Sequence, residues 1–225
     1  MTSHRSVLLI LTECILWADT IHCMDLPTIN FYRNNAKEVA ERYESVVSDL
    51  SKHFSEAFNT GRKVLDIGCG SGRDLALLQK LGYECYGVDP TQQFVQIAQE
   101  IHPELKNRII QDSLPDLSVP FDGGFDGVLC SAVLMHIEVE QLPAAAKAIK
   151  ACLRVGGRLL FSVPSKRLDI VSENRDQNGR LFIPNQANRL KLIYEDLGFK
   201  TVSSWDNNDS MGRDAVAWES VLMEL

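Results

Sequence analysis

The sequence has no Cys-x-x-Cys pair, because its six cysteines (Cys14, Cys23, Cys69, Cys85, Cys130 and Cys152) stand far apart. That removes the spacing which structural zinc and dithiol redox motifs require. No metal site is expected, and the reduced thiols of a cytoplasmic protein are the simpler reading. Cys69, Cys85, Cys130 and Cys152 lie in or beside apolar runs, where a free cysteine behaves as a small hydrophobe.

Positive charge is also scarce. Lys and Arg number 23 against 30 Asp and Glu, a net charge of −7, so a phosphate backbone is repelled on average and nucleic acid is disfavoured as a partner. No apolar stretch reaches the ~20 residues of a membrane-spanning helix, and no membrane partner is expected. Residues 6–17 come nearest, apolar after Arg5 in the manner of a secretory signal. They are interrupted by Thr12, Glu13 and Cys14 and followed by no small-x-small cleavage site. Residues 1–23 therefore read as an extension outside the fold, with Met24 a more ordinary beginning. Internal repeats and low-complexity tracts are absent.

What is present fits one domain: 225 residues with 45% hydrophobic content can bury one substantial core. Ala36, Val39, Ala40, Tyr43, Val46, Val47, Leu50, Phe54 and Phe58 recur every three or four positions, predicting one long amphipathic helix over 36–58. Thr60 and Gly61 end it, and a buried strand follows at 63–67. Helices are then predicted at 73–81, 92–101, 140–153 and 186–197, and strands at 84–88, 108–111, 124–130, 157–163 and 199–205. Such alternation implies a mainly parallel sheet with helices on both faces. The last segment, 215–225, has strand character and follows only a short polar link, so it should pair with 199–205 as an antiparallel hairpin. Residues 164–184 are predicted as a long irregular loop. The expected organisation is a helical cap over 24–60 and an α/β domain over 61–225.

The segment Val64-Leu65-Asp66-Ile67-Gly68-Cys69-Gly70-Ser71-Gly72-Arg73-Asp74 runs from a strand through a glycine-rich turn into a helix. Glycines there let a ligand lie against the backbone, although such a turn alone would also suit a dinucleotide. The second strand ends Tyr86-Gly87-Val88-Asp89-Pro90, with an acid placed to accept hydrogen bonds from ribose hydroxyls. Gln111-Asp112-Ser113 ends the third, offering a carboxylate and a hydroxyl to the exocyclic amine of adenine. The fourth strand is Phe125-Asp126-Gly127-Val128-Leu129-Cys130-Ser131, and the fifth begins Leu153-Arg154-Val155-Gly156-Gly157.

With these motifs in this order, the sequence closely resembles the class I S-adenosylmethionine-dependent methyltransferases of small-molecule type. The resemblance implies a Rossmann-like, doubly wound α/β fold: a mainly parallel seven-stranded sheet with an antiparallel C-terminal strand. It implies S-adenosyl-L-methionine as cofactor and S-adenosyl-L-homocysteine as product. By the same resemblance Asp66 lies near the amino end of the cofactor, and Gly68, Cys69, Gly70, Gly72 and Arg73 form its loop. Asp89 and Pro90 hold the ribose, Asp112 and Ser113 border adenine, and Cys130 and Ser131 line the pocket. Phe31-Tyr32-Arg33-Asn34-Asn35-Ala36, followed by Tyr43, is similar to a paired-tyrosine entry helix. Tyr32 and Tyr43 would then cap the cofactor, or Tyr43 simply belongs to the apolar stripe. Asp126 has the plain alternative role of fixing loop backbone.

A methyl group on a sulfonium is already activated, so the main task is to align a nucleophile and exclude water. A dedicated base is optional. His136, in Leu134-Met135-His136-Ile137 after the fourth strand, is the catalytic candidate, with a structural hydrogen bond as its other reading. Loops 131–138, 164–184 and 206–213 should surround the acceptor. Lys166, Arg167, Arg175, Arg180 and Arg213 in them would favour a carboxylate or phosphate on the acceptor, or are solvated surface charges. Where enzymes of flipped bases carry Asn- or Asp-Pro-Pro-aromatic, this chain has Cys130-Ser131-Ala132-Val133. A small-molecule substrate is therefore expected. An RNA or protein acceptor, a non-catalytic cofactor-binding protein and an NAD-dependent oxidoreductase are the alternatives, the last opposed by Asp66 and Gly156-Gly157. The acceptor, the atom methylated and the oligomeric state are not written in the sequence.

Overall fold

A computed structural model describes residues 24–59 and 62–225; the expectations for residues 1–23, including Cys14 and Cys23, lie outside the described residues. The chain enters through helix α1 (Leu26–Asn34), whose first turn holds Pro27 and is capped by Asp25 Oδ2, which accepts from Thr28 N–H at 2.9 Å. An acidic residue just before a first-turn proline is a helix-start signal.

The single helix predicted over 36–58 is in fact three pieces: α2 (Ala36–Glu44), a 3-10 turn at Asp49–His53, and α3 (Phe54–Ala57). At the break, Ser45 Oγ donates to the Arg42 carbonyl at 2.7 Å, and Ser48 is extended at φ −64°, ψ 127°. Competition from serine hydroxyls for the backbone and two consecutive β-branched residues both weaken a helix. Val47, counted in the apolar stripe, is 76% exposed.

Strand β1 (Lys63–Ile67) buries Val64, Leu65 and Ile67, as a central parallel strand covered on both faces must. Helix α4 (Arg73–Lys80), β2 (Glu84–Asp89), α5 (Gln92–Ile101) and β3 (Ile109–Gln111) build one wing of the sheet. Strand β4 (Phe125–Ser131), α6 (Leu142–Cys152) and β5 (Leu153–Arg167) build the other. After a small hairpin, β6 (Ile170–Ser172) and β7 (Arg175–Asp176), come α7 (Ala187–Asp196), β8 (Lys200–Asn208) and β9 (Val216–Glu224). The sheet order is β3-β2-β1-β4-β5-β9-β8, with β9 antiparallel between β5 and β8. This is the mainly parallel, seven-stranded, doubly wound sheet that the motifs implied, with its reversed last strand.

The predicted irregular loop over 164–184 is partly ordered pairing, since β5 continues to Arg167 against β9 and the β6–β7 hairpin fills the middle. Helices α4 and α5, with Phe54 and Phe58, cover one face of the sheet; α6 and α7 cover the other. Gly127 on β4 makes the first face possible, because a Cβ there would collide with the buried Phe58 ring. Among the described residues no helix is long and apolar enough to cross a membrane.

Candidate active site

The carboxyl ends of β1, β2 and β4 open onto a cavity of about 580 Å³. It lies where the strand order reverses, the crevice in which ligands of such sheets bind. The turn after β1 is pinned by the Val88 carbonyl, which accepts from Gly68 N–H at 2.8 Å and Cys69 N–H at 3.0 Å. Gly68 is left-handed at φ 73°, and a Cβ there would collide with Val133 Cγ2, so glycine alone lets the segment after β4 press on this turn. Asp89 Oδ2 accepts from Gly70 N–H at 3.0 Å, and Oδ1 from Thr91 N–H and Oγ1 at 2.9 and 2.8 Å. Burial nevertheless raises the Asp89 carboxyl to about 6. Three donors leave it one further acceptor position, on Oδ2.

Asp66 is buried, lines the cavity, and has an oxygen, Oδ1, with no hydrogen-bond partner. Burial, with repulsion from Asp74 and Asp89, holds its carboxyl well above the ordinary carboxylate range. Arg73 offsets part of this, while its Nε and Nη2 donate to Asp74 at 2.9 and 3.1 Å. A buried carboxylate without a partner is costly, and a cationic ligand group would remove that cost.

Across the cavity, His136 Nδ1 donates to the Leu181 carbonyl, so Nε2 keeps its lone pair, 3.4 Å from Tyr32 Oη. Arg180 Nη1 donates to the same hydroxyl at 3.3 Å. Because a guanidinium only donates, the Tyr32 proton is directed at His136 Nε2. Burial lowers His136 to about 4, helped by Arg180 and Arg167 and opposed by the Leu181 bond. His136 is thus neutral at physiological pH.

Five arginines line the cavity: Arg42, Arg73, Arg167, Arg180 and Arg213. The three from the predicted acceptor loops each carry an aspartate: Arg167 with Asp169 at 2.7 Å, Arg180 with Asp176 at 2.6 Å, and Arg213 with Asp209 at 2.7 Å. Arg167 and Arg180 also lie over the Phe182 ring, 3.6 and 4.9 Å from its centroid. Arg175 is paired with Asp25 at 2.7 Å and Lys166 Nζ donates to the Asp214 carbonyl at 3.3 Å, and neither lines the cavity. Lys166 and Arg213 are exposed, as solvated charges would be, whereas Arg167 is buried and Arg180 largely so beside their aspartates. An anion ~4 Å from a guanidinium whose carboxylate lies ~6 Å away keeps roughly a third of the attraction of a bare cation. The lining segments 45–50 and 207–213 are joined by Asp49 N–H donating to Ser210 Oγ at 2.9 Å.

A family model described as a methyltransferase domain matches residues 37–204. The chain belongs to the class I S-adenosylmethionine-dependent methyltransferases. An uncharacterized methyltransferase of Alkaliphilus oremlandii is 24% identical over 181 residues, 80% of this chain and 76% of that protein. A ubiquinone biosynthesis O-methyltransferase of Alkalilimnicola ehrlichii is 31% identical over 107 residues, which span 45% of this chain and 41% of that protein. The crystal structure of Burkholderia thailandensis 1,6-didemethyltoxoflavin-N1-methyltransferase, with bound 1,6-didemethyltoxoflavin and S-adenosylhomocysteine, has a TM-score of 0.66 at 19% identity, covering 86% of this chain and 83% of that one. At that identity the likeness establishes a shared fold.

Of the residues singled out from the sequence, Tyr32, Tyr43, Asp66, Gly68, Cys69, Gly70, Arg73, Asp89, Pro90, Ser131 and His136 all line the methyltransferase cavity. Gly72, Asp112, Ser113 and Cys130 do not. Gly72 starts α4 in a left-handed conformation and faces Ala98 and His102. Asp112 spends its oxygens on Ser113 N–H and on the N–H and Oγ of Ser118, folding its own loop. Cys130 is fully buried in the core, where burial pushes its thiol up. Asp126 accepts from the N–H groups of Arg62 and Lys63 at 2.8 Å and pairs with Arg154, so it fixes backbone. Sequence reasoning missed Phe94, Met135, Phe182 and Trp218 in the cavity wall. Only Met135, beside His136, carried a local signal.

Proposed function

We propose that this methyltransferase moves the methyl group of S-adenosylmethionine onto a small-molecule acceptor. The observation that carries the reading is that Asp66, buried at the end of β1 with Oδ1 unpartnered, lines one cavity together with the glycine turn and Asp89. This donor set fits the cofactor. Asp66 would take its ammonium, the backbone at Gly68 to Gly70 its chain, Asp89 Oδ2 a ribose hydroxyl, and Pro90 and Phe94 the adenine side. Accepting a second ribose hydroxyl on Asp89 requires the Gly70 N–H to yield its place.

When bound, S-adenosylmethionine supplies a methyl group on an activated sulfonium. The chain supplies alignment and dryness. Tyr32 and Tyr43 close over the cofactor end. His136 is neutral, with its lone pair toward Tyr32, so the pair orients an acceptor O–H or N–H rather than drawing off its proton at neutral pH. The hydrogen bond between Asp49 and Ser210 ties two segments of the cavity wall together, an arrangement suited to a small acceptor. The ubiquinone biosynthesis O-methyltransferase and the 1,6-didemethyltoxoflavin-N1-methyltransferase, both named for small acceptors, point the same way.

The test is incubation with methyl-labelled S-adenosylmethionine and size-fractionated host extract, alongside calorimetric titration with S-adenosylhomocysteine and NAD. Label in the low-mass fraction is expected. Label in RNA or protein overturns the acceptor class, and no label despite homocysteine-product binding turns the reading toward a non-catalytic cofactor binder.

A further inference from the structure

Resting on the acceptor site proposed above, we infer that the acceptor is an uncharged molecule recognised through hydroxyl or carbonyl oxygens by three charge-compensated arginines. Arg167, Arg180 and Arg213 share one arrangement: each turns its Nε and Nη2 edge to a single aspartate. The Nη1 edge is left over. In Arg180 it reaches the Tyr32 hydroxyl, and in Arg167 and Arg213 it meets no protein acceptor among the described residues.

Arg167 is buried and Arg180 largely so, whereas Arg213 stands at the rim with its side chain 42% exposed. The Arg167 side chain is 1% exposed, 3.6 Å over the Phe182 ring, yet lines the cavity. Asp169 and Asp176 are not among the lining residues. Arg167 and Arg180 are thus compensated by aspartates outside the lining and Arg213 by Asp209 within it, in a chain whose net charge of −7 already repels anions. A carboxylate or phosphate would surrender its hydration for a dipole. A neutral oxygen gives up far less and accepts the same hydrogen bond.

The first measurement uses the intact protein: methyl-labelled products from low-mass host extract are passed over an anion exchanger at pH 7. Label in the unretained fraction is expected, and retained label overturns the proposal. The second compares benzyl alcohol and benzoate as probes competing for the S-adenosylhomocysteine-loaded protein. The wild type should prefer benzyl alcohol, and Asp169→Asn, which frees the Arg167 charge, should shift the ratio toward benzoate by about tenfold. Preference for benzoate in the wild type, an unmoved ratio in the variant, or binding of neither probe each overturns it. Failure to bind S-adenosylhomocysteine at all would instead strike the cofactor reading beneath it.

Discussion

Replacing Asp66 by Asn separates stability from binding. The amide keeps the shape of the buried side chain but cannot ionise. In the wild type, burial and the neighbouring Asp74 and Asp89 hold the carboxyl well above its ordinary 3.8. A group raised in the folded state contributes stability that is present below its unfolded value and is lost as pH rises through the folded one. Asp66→Asn removes that loss, so its melting temperature should equal or exceed that of the wild type, by a margin that widens from pH 4 to pH 8. Cofactor binding should move the other way. Losing a charge-assisted hydrogen bond to an ammonium costs about 1.5–3 kcal/mol, a roughly 10- to 150-fold rise in Kd. Calorimetry with S-adenosylhomocysteine reads the second effect and differential scanning fluorimetry the first. An unchanged Kd in a folded variant, or a lower melting temperature at pH 8, refutes the reasoning.

Gly68→Ala forces a left-handed alanine against Val133 Cγ2 and should cost about 1–3 kcal/mol, with Val133→Ala recovering the steric part only; a wild-type melt in the single variant counts against the packing described. His136, lowered by burial from 6.5 to about 4, contributes stability present above pH 6.5 and lost as pH falls toward 4, worth roughly 3 kcal/mol. Urea unfolding at pH 7 and pH 4 should therefore show a shallower pH dependence for His136→Gln than for the wild type, and parallel profiles would contradict this. Asp126→Ala strands two backbone N–H groups at the start of β1 and should cost about 1–3 kcal/mol while leaving cofactor Kd unchanged, so weakened binding would mean that Asp126 reaches the site.

The sheet and its turns were legible because their determinants are local. Val64 to Ile67 is a buried run, and the Gly68 turn must be small whatever surrounds it. The terminal hairpin followed from a link too short for a helix. The helix over 36–58 failed because the apolar period survives a break that Ser45 and Ser48 impose, and period alone does not count hydroxyls. Within the site, Asp66 and Asp89 lie at strand ends fixed by the sheet. Asp112 sits as near to such an end, yet its oxygens are taken by Ser118, six residues on, which spacing does not reveal. The pairing of Arg167, Arg180 and Arg213 with aspartates was hidden for a related reason. Each partner lies only two or four residues away, but nothing in that separation says which edge of the guanidinium is used.

Helix α1 and the segment around β7 are about 150 positions apart in sequence, yet Arg175 grips Asp25, Leu181 N–H donates to Thr28 Oγ1, and Arg180 lies over Phe31. Together they make a single clip fastened over the sheet, and the sheet holds the cofactor turn without their help. A change in one stretch alone would leave the Asp25 carboxylate or the Arg175 guanidinium without its partner, so the two stretches are bound to change in concert.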